Sequence, residues 1–360
     1  MESRFAAVLA CVLLAALTAC SPLYVLRAGM EEAKILSRRR PIRDVIADPA
    51  TRPEVRAKLE LVLQARDFAE HGLGLDAGDS YTTYSWVESD TLLLVISGSR
   101  KDRFEPVTWW FPIIGHVPYK GFFDFARAHA AADDLRRRGY DANVRPSAAF
   151  STLGWFNDPL LNTLLRYGEV GLASTVVHEI THNTLYVPSQ VAFNESYANF
   201  AGDRGAILFF CNRDGDAAST CSTARDLWQD NLVYGRFISS FIAELRALYG
   251  REDLDSAAKV ARREDVFSAA RARFRTEVAP RLRTRAYLGF DDLDLNNATL
   301  IGINLYYERL DLFEAVYQRL GGDLAAALRA IEEAARARSG APFAAVEELL
   351  ATPAPPPRRD

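Results

Sequence analysis

The stretch that decides the reading is S-T-V-V-H-E-I-T-H-N-T-L-Y-V-P-S-Q-V-A-F-N-E-S-Y-A-N-F-A-G-D-R, residues 174–204. It holds His178-Glu179-Ile180-Thr181-His182, followed by Glu195. On an α-helix, residues four apart share a face. His178 and His182 therefore present two imidazoles side by side, the spacing a tetrahedral Zn²⁺ requires. Glu179 is placed to take a proton from a metal-bound water. Pro188 predicts a helix end near Tyr186, because proline disfavours helix at the residue before it and has no N–H to continue the ladder. Asn194, a good N-cap, predicts a second helix with Glu195 in its first turn, returning toward the same metal. Two His and one carboxylate leave a fourth position for water, the catalytic rather than the closed structural arrangement.

Working outward, the 360 residues are 49% apolar and 25% charged, enough for a sizeable core. The net charge of −4 shows no nucleic-acid footprint. The N-terminus, M-E-S-R-F-A-A-V-L-A-C-V-L-L-A-A-L-T-A-C, carries an apolar run too short for a comfortable membrane span. It reads as a signal peptide over 1–19. Leu17-Thr18-Ala19-Cys20 resembles a lipobox, which makes Cys20 a lipidation site and the chain anchored to a bilayer through its N-terminal lipid. Ser21 is not Asp, so nothing signals inner-membrane retention. The expected location is the cell envelope, on the periplasmic face of the outer membrane. Residues 20–45 then form a lipid anchor and tether. The basic run Ser37-Arg38-Arg39-Arg40 near the anchor is either solvated or touches anionic headgroups. Two cysteines remain, Cys211 and Cys221, flanking a polar Asp/Gly/Ser loop. In an exported protein they read as a disulfide.

The rest of the chain divides into a sheet-containing lobe with the metal-site helix (46–190), a helical lobe (191–351) and a disordered tail (352–360). An amphipathic helix is expected over 53–71 and strands over 80–87, 91–97 and 107–114. Glu88-Ser89-Asp90 reads as a hairpin turn between the first two strands. A helix follows over 122–138, closed by Gly139. Strands are expected from 142 and over 148–156. His116 lies in a loop and either lines the cleft or is structural. Later helices are expected over 194–210, 223–249, 255–288, near 322–337 and over 342–351. Asn296 and Asn297 precede a further helix and either cap it or line the cleft.

Four segments carry a resemblance: F-S-T-L-G-W-F-N-D-P-L-L (150–161), V-V-H-E-I-T-H-N-T-L-Y-V (176–187), F-N-E-S-Y-A-N-F-A-G (193–202) and L-N-N-A (295–298). Together they resemble the bacterial "putative aminopeptidase" family, zinc-dependent lipoprotein peptidases of the gluzincin type. The resemblance implies an α+β, zincin-like fold, with a mixed β-sheet and active-site helix in one lobe and a mostly helical second lobe. It implies His178, His182 and Glu195 as zinc ligands and Glu179 as the catalytic base. Asn199 stands where many gluzincins place an Asp that bonds a ligand His; its amide oxygen can still accept that bond. In the zincin plan an edge strand faces the cleft and pairs with an extended peptide substrate. Ser151-Thr152-Leu153-Gly154 is the candidate here. Gluzincins usually supply a Tyr or His for the oxyanion, a role open to Tyr306 or Tyr307. The expected activity is zinc-dependent peptide hydrolysis, aminopeptidase by resemblance. Exo- against endopeptidase stays open, since no residue for the substrate ammonium is identified. The rivals are a non-catalytic zinc-containing envelope lipoprotein and a cell-wall peptide amidase or endopeptidase.

Overall fold

The computed structural model describes residues 22–111, 114–147 and 157–351. The signal peptide expected over 1–19, the lipidation expected at Cys20, the substrate strand expected at Ser151, Thr152, Leu153 and Gly154, and the tail fall outside them. The chain is α+β, mostly helical with three small sheets among the described residues. Helices α1 (Pro22–Ser37), α2 (Ile42–Ala47) and α3 (Pro53–Asp67) come first, with strand β1 (Arg40–Pro41) between α1 and α2. Pro53 opens α3, where its missing N–H costs nothing. Six strands and one helix follow: β2 (Thr83–Ser85), β3 (Leu93–Ser99), β4 (Trp109–Phe111), β5 (Gly115–Val117), β6 (Tyr119–Phe122), α4 (Phe125–Arg137) and β7 (Asp141–Ser147). Asp124 caps α4 by accepting from Arg127 N at 3.1 Å, and Gly139 takes the left-handed turn beyond it. β8 (Leu160–Leu161) then leads to α5 (Glu169–Thr184) and α6 (Val191–Asp214).

The expected mixed sheet is split. A mixed sheet runs β1-β2-β8, and an antiparallel one runs β6-β3-β7. Residues 88–90 are therefore no hairpin turn, because β2 and β3 enter different sheets. β3 is buried on both faces, which explains its nearly unbroken apolar run. Leu94 and Ile96 pack on Ala128, Ala132 and Leu135 of α4. The alternate residues face the other way, where Ser97 Oγ donates to the Ala298 carbonyl at 3.3 Å.

The remaining helices are α7 (Ser219–Tyr249), α8 (Ser256–Arg273), α9 (Asn297–Tyr307), α10 (Leu310–Arg319), α11 (Leu324–Ala337) and α12 (Pro342–Ala351). The helix expected over 255–288 stops at Arg273; a wide turn and a short tight turn containing Pro280 replace its second half. The largest apolar cluster joins both sides of position 190, with Leu59 and Val177 in one body with Trp228 and Phe313. A second cluster packs Phe237, Phe241, Phe267, Phe274 and Phe290 between α7 and α8. Beside it, Arg263 and Asp141 form a buried ion pair at 2.6 and 3.1 Å. The Asn297 N–H also donates to Asp141, at 3.0 Å. One buried carboxylate thus joins the start of β7, helix α8 and the start of α9.

Candidate metal centre

Helices α5 and α6 cross closely because α6 is small where they meet. A Cβ on Gly202 would lie 2.6 Å from the Ser174 carbonyl oxygen, and one on Gly205 would lie 3.2 Å from Val177 Cγ1. The turn between the helices is held by Asn194, whose amide accepts from the Val187 N–H and donates to the Val187 carbonyl, both at 2.9 Å. Asn194 is thus no N-cap. α6 begins at Val191, and Glu195 lies in its second turn.

This crossing brings together His178, His182 and Glu195. The two Nε2 atoms are 3.2 Å apart, and Glu195 Oε2 lies 3.5 Å and 3.8 Å from them. A tetrahedral zinc with bonds of about 2.0–2.1 Å sets its donors about 3.4 Å apart. The three atoms therefore form one face of such a tetrahedron. Protonation fits as well. Asn199 Nδ2 donates to the Tyr306 carbonyl at 2.8 Å, which orients its Oδ1 to accept from His178 Nδ1 at 3.1 Å. His178 Nε2 is then a bare lone pair facing the other two donors. Among the described residues, the buried His182 Nδ1 has no hydrogen-bond partner. The donor set suits a divalent metal of the zinc type.

Burial would raise the Glu195 carboxyl, but the nearness of the His178 and His182 rings outweighs it and holds the group well below the carboxylate range. Burial likewise opposes charge on His178, yet Glu195 and Glu179 leave its imidazole raised. Glu179, half-buried beside them, is pushed up chiefly by burial.

The tyrosines separate. The Tyr306 ring stacks on His178 at 6.3 Å and 26°, and its hydroxyl accepts from Arg145 Nη2 at 3.1 Å. Tyr307 turns away: its hydroxyl meets that of Tyr287 at 3.0 Å, and its ring lies against Tyr234. Burial pushes its phenol up to about 12. Successive helical residues point about 100° apart, so only one of the pair can face the metal donors. Asn296 caps α9 through Thr299 N at 3.0 Å, and Asn297 receives Tyr249 OH at 2.8 Å. Both lie about 15 Å from Tyr306 along the helix. His116 is exposed on β5, held by its backbone to Ser189 Oγ. Cys211 and Cys221 are joined in a disulfide across the turn between α6 and α7, so the group they make with Asp216 offers no thiolate to a metal.

Four residues escaped the sequence reading. Arg145 of β7 pairs with Val95, and Tyr119 of β6 pairs with Ser97. Directly opposed residues share a sheet face, so both side chains project toward α9. Tyr119 stands near Glu195 and Tyr306, and burial lifts its phenol well above the usual value. The Tyr186 ring lies 6.4 Å from that of His182. Tyr81, buried with a left-handed backbone at φ +60°, stands beside Glu179 and Asp158. The available signal was Arg145 itself, a charge at an inward position of an alternating strand.

The fold and site define an α+β protein whose HExxH helix and a following glutamate converge on one donor cluster. The chain belongs to the family described as "Putative aminopeptidase", whose model matches residues 23–341. That family points to peptidase activity on a peptide substrate. No individually curated protein and no solved structure matches the chain.

Proposed function

We propose that the protein is a zinc-dependent peptidase of the gluzincin type with a zincin-like catalytic unit, and specifically an aminopeptidase. The observation that carries this is the tetrahedral-face spacing of His178 Nε2, His182 Nε2 and Glu195 Oε2 beside the Glu179 carboxylate. Those three atoms would hold the metal, and Asn199 keeps His178 in the ligating tautomer. Bound there, zinc supplies Lewis acidity toward the scissile carbonyl and acidifies a water. Glu179 takes the attacking water's proton and hands it to the leaving amine nitrogen. The Tyr306 hydroxyl donates to the carbonyl oxygen as that atom gains negative charge.

The lipobox-like end of the N-terminal apolar run supports lipidation at Cys20 and a place on the periplasmic face of the outer membrane. No described helix is long and apolar enough to cross a membrane.

The test uses soluble protein beginning after Cys20, with metal content by mass spectrometry and cleavage of a mixed peptide library. Wild type should hold one zinc and cleave single residues from free N-termini. Glu179→Gln should keep the zinc and lose about 10²–10⁴-fold in turnover. Internal cleavage would replace aminopeptidase by endopeptidase. Zinc without any cleavage would favour a zinc-held scaffold.

A further inference from the structure

We infer that Arg145 is a positioning residue that readies Tyr306 to donate its proton to the substrate oxyanion. The inference rests on the proposed peptidase reading and adds to it a residue on the opposite wall, supplied by the sheet. Arg145 enters from β7, on the face it shares with Val95 and Ser97. Its guanidinium carbon lies 5.6 Å from the Tyr306 ring centroid, and Nη2 donates to the phenol oxygen at 3.1 Å.

A guanidinium has donors and no acceptor, so the phenol oxygen must be the acceptor. The phenol keeps one proton of its own. Among the described residues, no second hydrogen bond is made by that hydroxyl. Arg145 therefore occupies the oxygen's lone pair and leaves its proton for an incoming acceptor. A donor hydrogen-bonded at its oxygen is also the stronger donor, because the two bonds polarise one another.

Charge leads to the same place. Two neutral imidazoles with the Glu195 and Glu179 carboxylates balance a divalent metal. Arg145 adds a further positive charge on the sheet side of that group. Among the described residues it forms no ion pair with a carboxylate, although Glu195 is near enough to favour its charge. A half-buried guanidinium without a carboxylate partner carries a desolvation cost that a nearby negative charge relieves. The negative charge developed on the carbonyl oxygen during hydrolysis is such a compensation, present in the transition state and absent from the ground state.

The experiment compares the zinc-loaded protein with Arg145→Met, Arg145→Lys, Tyr306→Phe and the Arg145→Met/Tyr306→Phe double variant. Two quantities are read: kcat and KM on a peptide the wild type cleaves, and calorimetric affinity for a phosphinic peptide, a tetrahedral anion. Tyr306→Phe should lower kcat about 10²-fold. Arg145→Met should lower kcat about 10-fold or more, with KM within about twofold and zinc content unchanged. The double variant should be no worse than Tyr306→Phe, since Arg145 acts through that hydroxyl. Phosphinic affinity should weaken in step with kcat. Arg145→Lys keeps the charge but loses the planar fork, and should fall between wild type and Arg145→Met. It also carries the test if the Met variant folds poorly.

Additive losses in the double variant would overturn the inference. So would a raised KM confined to substrates with a free C-terminal carboxylate, which would make Arg145 a direct substrate anchor. Full activity in Arg145→Met overturns this inference alone. A wild type that holds no zinc or cleaves no peptide overturns the proposed function, and this inference with it.

Discussion

The helix pair α5–α6 and the strands β6 and β7 supply opposite walls of one centre by different means. Within the helix pair the contacts among the donors are short in sequence: His178 meets His182 across 4 positions and Asn199 across 21. On the sheet side, Arg145 meets Tyr306 across 161 positions. The donor atoms therefore need only one helical hairpin to be correct. The Arg145–Tyr306 contact needs the register of β7 on β3, the docking of α9 and the ion pair that joins them. Metal binding and turnover should consequently be separable by mutation.

The largest separation is expected at Arg263. Its loss leaves Asp141 buried and short of its main partner, at a cost of about 3–5 kcal/mol. Chemical denaturation should show that cost. In the fraction still folded, zinc should stay bound while kcat falls, because β7 and α9 lose their common anchor. Loss of zinc in parallel with kcat would mean that the two walls form one unit.

Asn199 probes the boundary from the helix side. Asn199→Ala should weaken zinc binding about 10–100-fold by competition with a chelator. Asn199→Asp should recover it, since a carboxylate accepts the same His178 proton. Because Asn199 also holds the Tyr306 carbonyl, the alanine variant should disturb both walls, unlike any other single change at the centre.

Gly202→Ala attacks the crossing itself. The new methyl would meet backbone at 2.6 Å, which cannot swing aside as a side chain would. A loss of about 1–3 kcal/mol is expected, with zinc affinity falling alongside stability.

The smallest effect sharpens the comparison through pH. Burial, with the charge of Asp158 behind it, raises Glu32 from 4.5 to about 7. The folded chain thus binds this proton more tightly than the unfolded chain. Glu32 therefore costs stability progressively as pH rises from about 4.5 to about 7, and the cost is constant above that. Glu32→Gln should raise the unfolding free energy at pH 8 by about 1 kcal/mol, with partial exposure discounted, and should leave it unchanged at pH 4. Equal shifts at both pH values would remove Glu32's ionisation as the cause.

Legibility followed the same divide. The His pair was visible because a 3.6-residue period places i and i+4 together whatever surrounds the helix. The end of α5 was close to readable from Pro188, and the turn beyond it was not, because Asn194 serves the preceding loop rather than its own helix. Residues 88–90 carried turn chemistry, yet chemistry cannot say which strand a strand will pair with. Tyr306 and Tyr307 were equivalent as letters. Only the packing of α9 against α6 and α7 separated them, sending one ring onto His178 and the other onto Tyr234.

What the sequence by itself determined is the donor chemistry: two imidazoles on one helical face, a carboxylate beside the first, and another on the next helix. Short-range geometry is enough for that, because helical spacing is set by the backbone. What only the tertiary structure decided is the rest of the enclosure, above all that a strand arginine meets a helix-end tyrosine. That contact depends on strand register and on helix docking, and both are settled by the summed burial of many distant side chains rather than by any local pattern.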